Sequence, residues 1–319
     1  MSPRLIPGLA THRLTPAQEE VVHHDGGPLL VLGSAGTGKT TALEQRYLRL
    51  ASRPDLAPHQ ILFLCSNRRY SLEARDRLFA ALDCDAVVDV PVYTWHALCY
   101  HLVSRYYPVL GYREPPLLMT APEQWGRVRE LLEAQQRLDW PVWGPRLTDR
   151  AFVDEVADFC LRVTQRLMDP GDLEALAAPR GHPRPGWYEV ARFYEVYQRS
   201  LLRDARLDYA GLIAAAVRML TADGELRATL RQRFPYVLVD EGEELSRAQR
   251  ELLRLLEPAH VAVAADPDAG IEAFRGAEPD WVHGFEDWFG NDAYGPAPVA
   301  GSRSPAGSRR IVLRENHRL

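Results

Sequence analysis

The stretch Gly33-Ser-Ala-Gly-Thr-Gly-Lys-Thr40 follows the short apolar run Pro28–Leu32 and precedes a predicted helix over Thr41–Leu50. It fits the pattern G-x-x-x-x-G-K-[ST], in which glycines let backbone N–H groups turn inward around phosphate oxygens. The amino terminus of the following helix adds partial positive charge to the same loop. Strand, loop and helix come in the order that the pattern requires. The segment therefore predicts a phosphate-binding loop rather than a chance glycine-rich turn.

The loop indicates ATP as the ligand and Mg²⁺ as the accompanying ion. Lys39 should reach the β- and γ-phosphates, and the Thr40 hydroxyl should ligate Mg²⁺. The nucleotide-binding residues predicted from the loop are Gly33, Ser34, Ala35, Gly36, Thr37, Gly38, Lys39, Thr40 and Thr41.

A second apolar run, Phe234-Pro-Tyr-Val-Leu-Val-Asp-Glu241, ends in two carboxylates. Such an ending is also common in ordinary strands, so it gains meaning only beside a phosphate loop. In a magnesium-dependent ATPase, Asp240 would hold Mg²⁺, and Glu241 would orient and deprotonate the attacking water. Lys39, Asp240 and Glu241 are therefore predicted catalytic groups, and Thr40 and Asp240 are the predicted metal ligands.

Short apolar runs without polar alternation predict buried parallel strands, because helices cover both faces of such a sheet. The runs are Pro28–Leu32, Ile61–Cys65, Val87–Tyr93, Tyr236–Val239, Val261–Ala264 and Ile311–Arg314. Between about Leu98 and Arg233, apolar residues recur at spacings of three and four, which predicts helices. These helices are Glu123–Arg137, Asp149–Leu167, Tyr188–Arg203 and Tyr209–Thr221. The chain is therefore predicted to be an α/β protein with a parallel sheet and an inserted all-helical subdomain.

Composition limits the class of protein. The chain has 319 residues, of which 46% are hydrophobic and 25% charged, as in ordinary soluble globular proteins. A net charge of −5 offers no general attraction for nucleic acid, so such binding would need local basic patches. No apolar run is long enough for a membrane span, and the amino terminus lacks a secretory signal. A cytoplasmic protein with reduced thiols is predicted, because no metal-ligand spacing connects the cysteines Cys65, Cys84, Cys99 and Cys160.

Five further segments surround these two motifs in a fixed order. They are Leu14-Thr-Pro-Ala-Gln18, Thr94-Trp-His96, Leu207-Asp-Tyr209, Asp266-Pro-Asp-Ala-Gly-Ile-Glu-Ala-Phe-Arg-Gly-Ala277 and Leu313-Arg-Glu-Asn-His-Arg318. Together with the phosphate loop and the acidic strand, they resemble the motifs of UvrD/Rep-type superfamily 1 DNA helicases. The resemblance runs from about Leu14 to the last residue. An unrelated P-loop NTPase would not share this order.

The resemblance implies a RecA-like P-loop NTPase domain that is interrupted by the helical subdomain. The implied divisions are residues 1–104 and 206–288 for the first RecA-like domain, 105–205 for the helical subdomain, and 289–319 for a linker and the start of a second RecA-like domain.

The resemblance also implies roles at the nucleotide. Gln18 would read adenine, since its side chain can donate and accept hydrogen bonds at once. His317 would stack on the base where the family has Tyr. Arg318 would reach the γ-phosphate as a further catalytic group. The implied activity is ATP-driven translocation in the 3′-to-5′ direction.

DNA contacts follow from the resemblance by position, and the implied partner is single-stranded DNA or a duplex with a single-stranded tail. Phe274 would stack on a base, which tolerates any sequence; a core aromatic is the alternative. The positions near the DNA backbone are Ser66, Asn67, Arg68, Thr94, His96 and Arg275. For Arg68, a solvated surface position is the alternative.

Departures from the family pattern concern the coupling between nucleotide and DNA. Glu243 stands where the family has Gln, so it adds negative charge and loses the amide donors. Ala269 replaces a Gln that senses the γ-phosphate, and Cys65 replaces a base-stacking Phe. Losing the γ-phosphate sensor at position 269 should weaken transition-state stabilisation by ~2–4 kcal/mol, if it resembles the loss of an oxyanion donor. Slow or poorly coupled hydrolysis is therefore predicted.

Two functions remain open at this point. The first is the N-terminal ATP-binding half of a helicase. Its second motor domain would come from the rest of a longer protein or from a partner chain, because these 319 residues end as that domain begins. The second is a vestigial ATP- and DNA-binding subunit, acting as scaffold or regulator for an active motor or a helicase–nuclease partner. By itself the chain is not expected to be a helicase.

Overall fold

A computed structural model describes residues 13–82, 89–177, 185–269, 278–289 and 308–317. The chain divides into two compact units, Met1–Leu98 with Asp223–Leu319, and Cys99–Ala222. The described strands are β1 (Leu29–Gly33), β2 (Ile61–Cys65), β3 (Val92–Thr94), β4 (Leu117–Leu118), β5 (Arg206–Leu207), β6 (Tyr236–Val239), β7 (His260–Ala265) and β8 (Arg309–Leu313). The described α-helices are α1 (Pro16–His23), α2 (Lys39–Ala51), α3 (Arg68–Leu82), α4 (Trp95–Tyr106), α5 (Ala121–Glu133), α6 (Arg150–Gln165), α7 (Pro170–Ala177), α8 (Pro185–Arg203), α9 (Tyr209–Ala222), α10 (Gly224–Arg233), α11 (Arg247–Leu255) and α12 (Phe285–Phe289).

A six-stranded sheet in the order β3-β2-β6-β7-β1-β8 forms the centre of the first unit. Every neighbouring pair in it is parallel. Strands β2 and β6 are buried at each residue, as their uninterrupted apolar runs require. The predicted α/β fold with a parallel sheet is confirmed. Since all strands run in one direction, their carboxyl ends share one edge, where α/β proteins bind ligands.

Strand β3 differs from its prediction, Val87–Tyr93. Residues 87 and 88 lie outside the described part of the chain, and the strand itself begins only at Val92. The cause is Pro91, which has no N–H to donate to a ladder. Its carbonyl oxygen still accepts from the Phe63 backbone N–H at 2.9 Å. The strand therefore starts one residue after the proline.

The second unit, Cys99–Ala222, packs helices α5 to α8 around a core that contains Trp140, Phe193 and Tyr197. It is longer than the predicted insert, 105–205, and the functional domain boundaries stay a prediction.

The second unit also departs from the all-helical prediction, because β4 pairs with β5 in a parallel ladder. Its bonds run from the Leu117 N–H to the Ala205 carbonyl at 2.9 Å and from the Met119 N–H to the Leu207 carbonyl at 2.7 Å. Strands of two residues are too short to show a period of two, so no sequence pattern indicated them.

Among the helices in the described part of the chain, none combines the length and the apolar composition that a membrane span requires.

The loss of folding stability of the first unit at acidic pH should depend in part on His260. Its ring stacks on Tyr236, with centroids 4.4 Å apart, and its Nδ1 lies 3.2 Å from the Gly26 carbonyl oxygen. Burial lowers the pKa of His260 below its ordinary value of 6.5. Because the unfolded chain then takes up the proton more readily, stability is complete above about pH 6.5 and falls as the pH drops below it.

His260→Phe, which keeps a flat ring beside Tyr236, should therefore lose less unfolding free energy than the wild type between about pH 7.5 and pH 5.5. Chemical denaturation at several pH values measures this. His59→Phe, at an exposed histidine, is the control and should keep the wild-type slope. An unchanged slope in His260→Phe would contradict the assignment.

Candidate nucleotide site and nucleic-acid interface

The predicted phosphate loop connects β1 to α2 and depends on glycine at two positions. Gly36 and Gly38 have φ angles of +87° and +79°, a region that favours glycine. A Cβ at Gly36 would come 2.6 Å from Asn316 Oδ1, and one at Gly38 would come 2.2 Å from Gln18 Nε2. Side chains are thus excluded from the inner wall of the loop, and backbone groups can approach a ligand closely.

Lys39, the first residue of α2, folds its side chain back into the loop. Its Nζ donates to the Gly33 carbonyl at 2.6 Å and to the Ser34 carbonyl at 3.3 Å. The Thr37 hydroxyl donates to the same Ser34 carbonyl at 2.8 Å. The ammonium group is therefore held at the mouth of the loop by bonds that phosphate oxygens could replace.

A cavity of about 370 Å³ opens at this loop. The predicted site residues that line it are Gln18, Ser34, Ala35, Gly36, Gly38, Lys39, Thr40, Thr41, Asp240, Glu241 and His317. Gly33 and Thr37 do not line it. Thr37 is buried, and a Cβ at Gly33 would come 2.4 Å from its hydroxyl oxygen. These two residues form the base of the loop, and their contact with a nucleotide stays a prediction.

Gln18 ties helix α1 to the loop. Its Oε1 accepts from the Thr15 backbone N–H at 2.9 Å, and its Nε2 donates to the Thr37 carbonyl at 3.2 Å. One amide hydrogen and one lone pair remain for a ligand. Adenine recognition by Gln18 stays a prediction. The His317 backbone N–H donates to the Gly36 carbonyl at 3.0 Å, which places His317 at the same cavity.

Thr40 and Asp240 bring the two motifs together across 200 residues. The Thr40 hydroxyl donates to Asp240 Oδ2 at 2.6 Å, and the Glu241 backbone N–H donates to Asp240 Oδ1 at 3.1 Å. Burial raises the pKa of Asp240, and the bond from Thr40 opposes that rise. A hydroxyl and a carboxylate side by side are the oxygen ligands that Mg²⁺ prefers, so this pair fits a magnesium ion.

Glu241 lies beside Asp240 in a left-handed backbone conformation, with φ of +57°. Its carboxylate accepts a hydrogen bond from the Ser66 hydroxyl and lines the cavity. Burial and the nearby charges of Asp240, Glu243 and Glu244 raise its pKa to about 7. A carboxyl group with this pKa can take up a proton near neutral pH.

The two departures from the helicase pattern also line the cavity. Glu243 is 7% exposed, and its Oε2 has no hydrogen-bond partner among the described residues. Burial raises the pKa of Glu243, whereas a bond from the Asp266 backbone lowers it. Ala269 presents a methyl group where an amide could have contacted phosphate. Together with Asp240, Glu241 and Asp266, Glu243 makes the cavity rich in carboxylates.

The predicted DNA contacts lie at the carboxyl ends of the two strands at one side of the sheet. Cys65 of β2 is in register with Thr94 of β3, so Ser66 and Thr94 follow neighbouring strand ends. Exposed positions are Ser66, Asn67 and Arg68, whereas Thr94 and His96 are half-buried. Their contact with DNA stays a prediction. Phe274, Arg275 and Arg318 lie outside the described residues.

Two cavity residues escaped the sequence prediction. Gln45 lies one helical turn after Thr41 on α2, so the spacing of four could have indicated it. Arg13 precedes the Leu14–Gln18 motif and adds a second cationic side chain to the lining.

Comparison with known proteins places this site in a family context. Residues 14–290 match the UvrD/REP helicase N-terminal domain. The ATP-dependent DNA helicase PcrA of Bacillus subtilis is 26% identical over 282 residues, covering 87% of this chain and 36% of that protein. The ATP-dependent DNA helicase UvrD1 of Mycobacterium leprae is 28% identical over 298 residues, covering 89% of this chain and 36% of that protein. UvrD1 of Mycobacterium tuberculosis H37Rv is 27% identical over 314 residues, covering 96% of this chain and 37% of the relative.

The chain thus spans little more than a third of the length of these relatives. The family match covers most of its own residues and includes the phosphate loop, the acidic strand and the strand ends described above. The chain belongs to the UvrD/REP helicase N-terminal domain family.

Proposed function

We propose that this chain is the ATP-binding half of an ATP-dependent single-stranded-DNA translocase or helicase that moves in the 3′-to-5′ direction. The observation that carries the proposal is the 2.6 Å bond between the Thr40 hydroxyl and Asp240. It joins the phosphate loop to the acidic strand, with Lys39 and Glu241 at the same cavity. The named relatives are ATP-dependent DNA helicases, which supports the same assignment.

Four residues at the cavity have tasks in this proposal. Thr40 and Asp240 would hold Mg²⁺, which would neutralise phosphate charge. Lys39 leaves the Gly33 and Ser34 carbonyls and contacts the β- and γ-phosphates. Glu241 accepts a proton from the water that attacks the γ-phosphorus, while the bond to the bridging oxygen breaks and ADP leaves.

DNA is the second ligand in the proposal. Ser66, Asn67 and Arg68 follow the end of β2, next to the Glu241 carboxylate that Ser66 contacts. This adjacency supports the proposal that contact between these residues and the DNA backbone influences the nucleotide site. A second motor domain, from the same or a partner chain, would complete the nucleotide cleft. At the same cleft, His317 would stack on the adenine base and Arg318 would contact the γ-phosphate.

Glu243 favours a second candidate function, a vestigial ATP- and DNA-binding subunit that supports an active partner. A buried carboxylate with a free oxygen repels phosphate and cannot donate the bonds of an amide. With Ala269 at the same cavity, two groups that could report the state of the nucleotide are missing.

Stimulation of ATP turnover by single-stranded DNA separates the two functions. We expect oligo-dT to raise turnover at least about tenfold, equivalent to about 1.4 kcal/mol of activation free energy, in a chain extended by its second motor domain. The stimulation should weaken steeply with added salt, since contacts to phosphate release counterions. Nucleotide binding without any DNA effect on turnover would contradict the motor and support the vestigial subunit.

Glu243→Gln should raise the DNA-stimulated turnover several-fold, because it removes one negative charge from the cavity and restores two amide donors. Steady-state phosphate release measures this. Glu244→Gln is the matched control, since its side chain belongs to the same turn but does not line the cavity. An equal gain in both variants would show that charge alone, and not the amide, limits the reaction.

A further inference from the structure

The turn that begins at Glu241, the 241–245 turn, is held by a contact from a later part of the chain. Within the turn, the Glu244 N–H donates to the Glu241 carbonyl at 3.1 Å, and the Leu245 N–H donates to the Gly242 carbonyl at 3.3 Å. The Gly242 carbonyl accepts a second and shorter bond, of 2.9 Å, from Nε1 of Trp281. This bond is buried and joins residues 39 positions apart, so it ties the turn to a distant segment of the chain.

Glycine at position 242 lets the 241–245 turn lie against the sheet. A Cβ at Gly242 would come 2.4 Å from Cγ1 of Val263 and 3.2 Å from the Ala264 carbonyl oxygen, both in β7. The turn therefore contacts the end of β7 as well as Trp281. The left-handed backbone of Glu241 is unfavourable for a residue with a side chain, and such a conformation persists only where surrounding contacts hold it.

The orientation of the Trp281 ring is set by its neighbours. The residue is 5% exposed, and its ring centre lies 6.1 Å from that of Phe285 and 6.3 Å from that of Phe289. The guanidinium carbon of Arg250, on α11, lies 5.7 Å from the centre of the same ring, which is a cation–π distance. These contacts leave the indole little freedom to turn away from the carbonyl that it contacts.

Arg250 also contacts a second tryptophan, which provides a matched comparison. Its guanidinium carbon lies 4.9 Å from the centre of the Trp288 ring, and its Nη2 donates to the Glu278 carboxylate. Both tryptophans thus pack against one buried cation. Among the described residues, only Trp281 donates a side-chain bond to the Gly242 carbonyl. The pair therefore separates the loss of an indole from the loss of the bond to the turn.

We infer that Trp281 is a positioning residue for Glu241: its indole N–H holds the Gly242 carbonyl and thereby keeps the 241–245 turn in the conformation that places the Glu241 carboxylate at the cavity. The inference rests on the proposed function, because it assumes that Glu241 is the base. Trp281 is not among the residues that line the cavity, so it acts on the reaction only through the turn. Placement matters, since a displacement of about 1 Å can cost about 10²-fold in rate.

Hydrogen exchange measures the turn itself and needs no nucleotide. Mass spectrometry of the 319-residue chain follows the backbone amides of residues 241–245 in the wild type and in Trp281→Phe, which keeps an aromatic ring but removes the donor. Loss of one hydrogen bond changes a local opening equilibrium by about three- to tenfold, so exchange in this segment should be faster by that factor. Trp288→Phe, which removes the other indole beside Arg250, should leave the segment at the wild-type rate.

The second measurement compares ATP turnover with nucleotide affinity, in the extended chain used for DNA stimulation. Trp281→Phe should lower turnover at least about threefold, because the base is less often in place. The affinity for a non-hydrolysable ATP analogue with Mg²⁺ should stay within about twofold, because Lys39 and Thr40 are unchanged. Trp288→Phe should keep both values. A fall of turnover and affinity together in Trp281→Phe would indicate general damage to the site and contradict the inference.

The loss in Trp281→Phe should also depend on Glu241. In the Glu241→Gln background the base is already absent, so adding Trp281→Phe should lower the residual turnover no further. A further loss of the same size would show that Trp281 acts through another group and would overturn its assignment to Glu241.

The remaining outcomes separate the inference from the proposed function. Unchanged exchange in Trp281→Phe overturns the inference at any level of turnover, and so does faster exchange with unchanged turnover. Equal effects in Trp281→Phe and Trp288→Phe assign the result to packing around Arg250 and overturn the role of the bond. A wild type that binds the analogue but has no turnover overturns the proposed motor and the catalytic role of Trp281 with it, whereas the exchange rates still decide whether Trp281 holds the turn.

Discussion

Lys39→Ala should lower the affinity for Mg-ATP at least about 100-fold, which corresponds to about 2.7 kcal/mol of binding free energy, and reduce turnover to background. The carboxylates that line the cavity are Asp240, Glu241, Glu243 and Asp266. Only Lys39 and Arg13 supply positive side chains among the described lining residues. Removing Lys39 therefore leaves a cavity that repels a triphosphate. Isothermal titration with the non-hydrolysable analogue measures the loss.

The chain offers two sharp controls for this experiment. Of its 38 lysine and arginine residues, Lys39 is the only lysine. An amine-reactive reagent can therefore modify only Lys39 and the amino terminus, and ATP should protect Lys39 from it. Lys39→Arg keeps the charge but replaces a compact ammonium with a planar guanidinium. We expect it to bind the analogue more weakly than the wild type. Full affinity in Lys39→Ala would contradict the role of the loop.

The sequence was sufficient to predict the elements that are buried on both faces or that contain a glycine motif. Strands β2 and β6 coincide with the predicted runs Ile61–Cys65 and Tyr236–Val239. Polar residues bound the first run on both sides, and Pro235 and Asp240 bound the second. Strand β3 was predicted too early, since apolar residues before Pro91 look like strand but lack a donor at the proline. The parallel sheet could be predicted from local apolar runs alone, without knowledge of which distant residues are in contact.

The features that the sequence could not predict arise from distant contacts. Glu44 and Arg77 are separated by 33 residues, and no periodic pattern indicates that they pair. The bond from Thr40 to Asp240 could be expected only from the function that both motifs imply. The left-handed conformation of Glu241 is likewise set by its place after β6, since glutamate has no preference for positive φ. The residues of the candidate site could thus be predicted as a set, whereas the contacts between distant residues that surround them could not.

Glu241→Gln should reduce ATP turnover by about 10²–10⁴-fold, the usual contribution of a general base. An amide cannot accept the proton of the attacking water, although its oxygen can still accept the bond from the Ser66 hydroxyl. The affinity for Mg-ATP should stay equal or rise, because one negative charge leaves the cavity. Single-turnover phosphate release and analogue binding, measured on the same preparation, separate these two effects.

Glu243 is the carboxylate that could replace Glu241 in this role, because it also lines the cavity and has a free oxygen. Glu241→Gln and Glu243→Gln are expected to change ATP turnover in opposite directions. If Glu241 is the base, Glu241→Gln loses turnover and Glu243→Gln gains it; if Glu243 is the base, Glu243→Gln loses turnover and Glu241→Gln retains it. Retained turnover in Glu241→Gln, together with lost turnover in Glu243→Gln, would therefore identify Glu243 as the base. The residue that departs from the family pattern would then be the catalytic group. If neither variant changes turnover, the wild-type rate depends on neither glutamate as a base, and the vestigial subunit becomes the better account of the cavity.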